Sequence, residues 1–252
     1  MLSNPTRQSR KAKRKAKNQE QRSANTQGCV KNFELVDVQA KTDNQRIAFD
    51  SYNAGKNLML HGIAGTGKTF LSLFLSLEEV LSEGSLYKKV YIIRSVVPTR
   101  DMGFLPGNTK EKTKVYEAPY YAICTELFGR SDSYEYLKTR GLVEFISTSF
   151  IRGITLNDCI VIVDECQNLD WGELTSVITR VGKNCRIIYS GDYRQSDFRF
   201  REKDSKNDVM KFMSVLKNIH EFAFINFTAE DIVRSDLVKK FIIAVDKMGL
   251  DL

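Results

Sequence analysis

One eight-residue segment dictates much of the fold around it: Gly62-Ile63-Ala64-Gly65-Thr66-Gly67-Lys68-Thr69. It satisfies G-x-x-x-x-G-K-[ST] at every fixed position. Gly62, Gly65 and Gly67 let the backbone curl until its N–H groups converge, a geometry that suits phosphate oxygens. Such a loop belongs between a strand and a helix, because the helix N-terminus adds partial positive charge to the cradle. The flanks agree. Asn57–His61 (NLMLH) reads as a short buried strand, and Phe70–Leu81 (FLSLFLSLEEVL) as a helix that is apolar almost all round. In that setting Lys68 is expected to reach the β- and γ-phosphates of ATP, and the Thr69 hydroxyl to ligate Mg²⁺. The whole run of Gly62, Ile63, Ala64, Gly65, Thr66, Gly67, Lys68 and Thr69 is the expected nucleotide loop.

The rest of the chain alternates in the same way. Val90–Arg94, Leu142–Ile146, Ile160–Asp164, Cys185–Ser190 and Phe222–Phe227 read as strands, with helices predicted near 171–181, 207–218 and 236–247. Strands apolar along their length must be covered on both faces, as crossover helices do in parallel sheets. No repeat and no Pro/Gly-rich linker interrupts residues 40–252. The expected fold class is α/β, a mostly parallel sheet with helices on both faces.

The strand Ile160–Asp164 ends in IVIVDECQN, on two adjacent acids. Ionised carboxylates resist burial unless something positive meets them. Asp164 therefore reads as a Walker B acid that holds Mg²⁺, directly or through water. Glu165 is placed to polarise an attacking water as general base, which favours hydrolysis over kinase chemistry. The next strand leads into Gly191-Asp192-Tyr193-Arg194-Gln195, and parallel neighbours deliver their C-terminal ends to one edge. Gln195 is expected there, bonding the γ-phosphate or water. Upstream, Thr42-Asp43-Asn44-Gln45 opens a predicted helix. The Gln45 amide has the donor and acceptor that read adenine N6 and N7, an ordinary surface glutamine being the alternative. Lys110–Tyr121 (KEKTKVYEAPYY) reads as a helix with a charged outer and aromatic inner face, interrupted near Pro119.

Charge is concentrated at one end. Residues 1–25 hold eight basic side chains and one acid, leaving 30 of each sign for positions 26–252, so the arm carries the whole net charge of +7. With no apolar face to bury, residues 1–28 are expected to be a disordered basic arm ahead of a domain at 29–252. The arm over 1–25 suits RNA or single-stranded DNA, with a solvated tail or an organellar presequence as alternatives. Five cysteines without CxxC spacing suggest buried thiols in a reducing cytoplasm. No stretch has the length and apolarity of a membrane span.

GIAGTGKT, IIRSVVPTRDMGFLPGNTKEK, FIRGITLNDCIVIVDECQN, SGDYRQSD and DIVRSDLV together resemble the PhoH-like ATPases. These are phosphate-starvation-inducible P-loop proteins related to superfamily 1 helicases. The resemblance runs from about Asp43 to Val245 and is specific, since FLPG-x-x-x-EK and RG-x-TLND are not generic to P-loop proteins. It implies a RecA-like P-loop NTPase core that binds and hydrolyses ATP, with a suspected link to RNA. By the same resemblance Asp164, Glu165 and Gln167 form a helicase-type DExQ element. Gln195 belongs to GD-x-x-Q, and Arg234 is the arginine of D-[IV]-V-R. The chain departs from the family at Ser95, where proline is usual, at Cys166, where alanine is usual, and at Ser235, where histidine is usual. A bare single domain of this kind is similar to phage versions.

A lone RecA-like domain has no internal partner to close against. Arg234 is therefore expected either to fold back onto its own site or to act at a subunit interface of a homo-oligomer such as a hexamer. Arg152, in the FIRG turn, is the expected nucleic-acid or coupling residue. Three functions compete: an ATPase acting on RNA or single-stranded DNA, an ATP-driven oligomeric switch with a protein partner, and a small-molecule kinase, which Glu165 disfavours.

Overall fold

The computed structural model describes residues 33–96, 109–192 and 205–248. The basic arm and Gln195 lie outside the described residues. A helix α1 (Asp43–Asn53) precedes β1 (Asn57–Gly62), and the glycine loop leads into α2 (Lys68–Leu81). Then follow β2 (Lys89–Arg94), α3 (Thr109–Phe128), α4 (Ser133–Thr139), β3 (Val143–Ser147) and β4 (Cys159–Val163). The chain continues through α5 (Trp171–Ile178), β5 (Cys185–Gly191), α6 (Ser205–Leu216), β6 (Phe222–Phe227) and α7 (Asp236–Lys247).

The six strands form one sheet in the order β3-β2-β4-β5-β1-β6. Every neighbouring pair is parallel. The strand alternation sorts side chains into two cores. Leu58, Leu60, Val90, Ile92, Ile160 and Ile162 face the side covered by α1 to α4, through residues such as Tyr52, Leu73, Tyr120 and Tyr134. Met59, Ile93, Val161, Val163, Ile187 and Tyr189 face the side covered by α5 and α6, through Leu174, Val177 and Phe212. Both faces are dry, which explains why the strands read as continuous apolar runs. β5 lies between the loop-bearing strand β1 and the acid-bearing strand β4, the order of a RecA-like core. The chain leaving β1 crosses towards β2, whereas the chain leaving β5 crosses over β1 to β6. Those diverging connections open a crevice at the carboxyl ends of β1 and β5, where open α/β sheets bind ligands.

Two sequence expectations change. α3 runs through Pro119 without a break. Proline cannot donate to the carbonyl four residues back. Pro119 faces solvent, as does Val115, so the freed carbonyl can reach water. Buried Tyr120, Cys124 and Leu127 pin the following turns to the sheet. The helix predicted to 181 stops at Ile178, because Val181 leaves to form a parallel bridge with Leu156.

The turn out of β1 leaves no room for a side chain. Gly62 has φ of +121°, and a Cβ there would lie 2.0 Å from the Phe227 carbonyl oxygen of β6. The backbone contact is itself used, since Ile63 N donates to Phe227 O at 3.1 Å. Gly62→Ala must push β6 away from β1. We expect a loss of at least ~3 kcal/mol in urea unfolding, the upper range of overpacking costs; a loss below ~1 kcal/mol shows that the turn can relax.

Candidate nucleotide site

The loop is built for convergence. Gly65 and Gly67 have φ of +76° and +84°, the left-handed region that glycine tolerates, and Gly67 caps the N-terminus of α2. Thr66 Oγ1 donates to Ile63 O at 3.0 Å and so closes the loop on itself. Lys68 Nζ donates to Gly62 O and Ile63 O, each at 2.8 Å. That holds the ammonium inside the curl, where burial pulls its pKa down and the nearby Asp192 and Glu165 carboxylates oppose the shift. The loop forms the floor of a cavity of about 690 Å³, walled by α1, α3, the segment 36–41 and the ends of β4 and β5.

Asp164 sits one residue past β4, where its N–H still donates to Ile93 O at 2.9 Å. Its two carboxylate oxygens are both taken. Thr69 Oγ1 donates to Oδ1 and Tyr120 Oη to Oδ2, each at 2.9 Å. Arg94, at the end of β2, puts its positive charge beside the same Tyr120–Asp164 pair. Burial raises the Asp164 pKa, and adjacent Glu165 raises it further; Arg94, Tyr120 and Thr69 work against that rise. Thr69 and Asp164, each expected from the sequence to ligate Mg²⁺, are joined here by a direct hydrogen bond. Both are hard oxygen donors of the type Mg²⁺ prefers. Among the described residues no group of three His, Cys, Asp or Glu side chains offers a dedicated metal cage. Two protein oxygens of this kind suit an ion that takes its remaining ligands from phosphates and water.

Glu165 has φ of +51°, uncommon for a residue with a side chain and the kind of strain that clusters at functional sites. The turn lets Glu165 line the cavity while Asp164 points to Thr69. Gln167 fixes the result: its Nε2 donates to Glu165 Oε2 at 2.6 Å, and its Oε1 accepts from Asp192 N at 2.9 Å. The bridge requires Gly191, where a Cβ would come within 2.4 Å of Gln167 Oε1.

Gln45 is buried over the loop. Its Nε2 donates to Thr66 O at 3.2 Å, and its Oε1 accepts from Lys41 N at 2.8 Å. Both amide atoms therefore hold backbone, and the residue also lines the cavity. Arg234 lines the cavity of its own chain, its Cγ standing 3.2 Å from where a Gly65 Cβ would be. Val233 N anchors that segment by donating to Gly65 O at 3.1 Å. Arg152 is exposed in the loop after β3, the edge strand farthest in the sheet order from β6, and does not line the cavity. Sequence reasoning missed Tyr120, Arg94 and Asp192. Tyr120 is one of three tyrosines in KEKTKVYEAPYY, and nothing local says which of them meets an acid 44 residues on.

A family model described as PhoH-like protein matches residues 37–246. The chain belongs to the PhoH-like family. A PhoH-like protein of Bacillus subtilis (strain 168) is 33% identical over 221 residues, covering 87% of this chain and 67% of the relative. One from Synechocystis is 31% identical over 211 residues, covering 83% and 62%. Protein PhoH2 of Thermobispora bispora is 32% identical over 206 residues, covering 79% and 45%. The chain thus spans about two thirds of the first of these relatives and less of the others. Among solved structures, the large terminase of a thermophilic bacteriophage is 12% identical with a TM-score of 0.47, covering 81% of this chain and 50% of that one. Pif1 helicase of Candida albicans is 13% identical with a TM-score of 0.40, covering 85% and 44%. Among the described residues no helix is long and apolar enough to cross a membrane.

A buried carboxyl whose pKa is raised loses stability on ionising. For Asp164 that loss sets in as pH rises above its ordinary 3.8 and is complete above the folded value. Asp164→Asn is therefore expected to raise Tm at pH 7, measured without nucleotide or Mg²⁺, with a gain that shrinks as pH falls towards 4. A lower Tm at pH 7 shows that the Thr69 and Tyr120 bonds outweigh the buried charge.

Proposed function

We propose that this PhoH-like protein binds ATP over Gly62–Thr69 and hydrolyses it, with Glu165 as general base. The carrying observation is the chain of contacts from Glu165 through Gln167 to Asp192 N, which holds a cavity-lining carboxylate within the reach of the loop. In this reading the loop amides and Lys68 hold phosphate oxygens, and Lys68 exchanges the Gly62 and Ile63 carbonyls for them. Thr69 and Asp164 hold Mg²⁺, which when bound neutralises phosphate charge. Glu165 takes the proton of the attacking water. Gln195 follows Asp192 in sequence and is proposed to respond to the γ-phosphate, and Gln45 to present its backbone-tethered amide beside the base. Glu165→Gln is expected to lower kcat by ~10²–10⁴-fold, the usual worth of a general base, with ATP binding kept. Unchanged kcat removes Glu165 from the chemistry.

Arg234 is proposed to stabilise charge on the transferring phosphoryl group. It sits on Gly65 of its own chain, which supports action within one subunit. Arg234→Ala should slow hydrolysis by on the order of 10³-fold. Mixing Arg234→Ala with Lys68→Ala protein should restore nothing; recovery of activity on mixing demonstrates an arginine delivered between subunits.

Hydrolysis is proposed to be coupled to RNA or single-stranded DNA, supported by the eight cations of residues 1–25 and by the helicase-type DExQ element. ATPase rates with and without single-stranded RNA at two salt concentrations test this. Stimulation that fades with salt and with removal of residues 1–25 supports coupling. No stimulation favours a protein-directed switch, the second reading. One observation supports that reading: α7, next to Arg234, leaves Leu237 79% and Phe241 60% exposed, an apolar face fit for a protein or a second subunit.

A further inference from the structure

The opposite end of the sheet carries a feature that the nucleotide site does not use. Cys159 and Cys185 are the first residues of β4 and β5 and stand directly opposite each other in the parallel register. Their sulfurs are 3.4 Å apart. The approach to both strands is built in duplicate. Asp158 and Asn184, each one residue upstream, both adopt φ of +50°. Asn184 Nδ2 donates to Asp158 Oδ1 at 2.9 Å, and Lys88 Nζ pairs with Asp158 Oδ2 at 3.2 Å. Backbone bonds from Asp158 N to Lys183 O at 2.9 Å and from Cys159 N to Asn184 O at 3.1 Å complete the clamp. Parallel neighbours run about 4.8 Å apart, inside the Cα separation of about 4.4–6.8 Å that a disulfide spans.

The two thiols differ in access. Cys159 is fully buried, whereas Cys185 is partly exposed and has the carbonyl oxygens of Leu156 and Lys183 at 3.0 and 3.3 Å. Cys124 and Cys166 are also buried. Susceptibility of a thiol to peroxide follows its exposure and thiolate character.

We propose that Cys159 and Cys185 form a peroxide-responsive thiol pair that closes into a disulfide across β4 and β5. Hydrogen peroxide is the oxidant. The Cys185 thiolate attacks one peroxide oxygen, the O–O bond breaks, and the departing hydroxide takes a proton to leave as water; Cys185 becomes a sulfenic acid. The Cys159 sulfur then attacks the Cys185 sulfur, the S–O bond breaks, and the hydroxide leaves as a second water with the Cys159 proton. Two thiols lose two electrons and two protons, and one peroxide is reduced to two waters. The pair lies at the strand ends remote from Asp164 and Asp192, so the link staples the two strands without entering the nucleotide cavity.

The test is peptide mapping of the reduced full-length chain after exposure to hydrogen peroxide, with remaining thiols alkylated under denaturing conditions and no reductant in the digest. The expected product is one cross-linked peptide pair holding Cys159 and Cys185, two hydrogens lighter than the separate peptides. Tm should rise with the link and return to its starting value in dithiothreitol. With Cys159→Ser, dimedone should trap a sulfenic acid at Cys185; with Cys124→Ser, the link should form as before. The proposal is overturned if both thiols are still alkylated after peroxide treatment. It is equally overturned if Cys185 proceeds to sulfinic acid with Cys159 free, if either pairs with Cys29, or if Tm falls when the link forms.

Discussion

Everything at the carboxyl edge of the sheet depends on keeping a carboxylate at the end of a fully buried strand. β4 is inaccessible along its length, and Asp164 follows it with 2% exposure. Desolvation alone would neutralise or expel such a group. Three elements work against that: the first turn of α2 through Thr69, α3 through Tyr120, and the end of β2 through Arg94. The order of the sheet is therefore also an electrostatic arrangement. β2 adjoins β4, so its terminal arginine stands beside the acid, and α3 crosses at the depth where one phenol reaches it.

Much of this is legible in the sequence. The glycine loop, the acids at the end of an apolar strand and the alternation of elements are local patterns with short-range physical causes. They locate β1, α2 and β4 to within a residue or two, and β6 and α7 to the residue. The part that is not legible is set by distance along the chain. Which tyrosine of α3 meets Asp164, and whether Gln45 commits its amide to the Thr66 carbonyl, are decided by helix rotation and loop docking. The register that brings Cys159 beside Cys185 is likewise a property of strand order, which no periodicity reports. Pro119 shows the same limit in reverse: local propensity argues for a break, and a buried face on the following turns overrides it.

Gln167 gives physical content to a residue that sequence comparison ties only to a class of machine. It grips the proposed base with one end of its amide and the start of the segment after β5 with the other. A shift of that segment must change the orientation of Glu165, and the reverse holds equally. The coupling needs only an amide of fixed length and a glycine at 191 that lets it pass.

The packing of Arg234 on Gly65 has a consequence for how the protein comes into being. The glycine loop is translated long before the arginine: 165 residues separate Thr69 from Arg234. At roughly 5–20 residues per second, a nascent chain passes on the order of ten seconds or more with its glycine loop synthesised and its arginine not yet made. During that interval the loop lacks its supports, because β1 pairs with β5 and β6 and Ile63 N donates to Phe227 O, all made late in the chain. The same late segment anchors Gly65 O through Val233 N and brings Arg234 against the loop, so cradle and arginine are completed together.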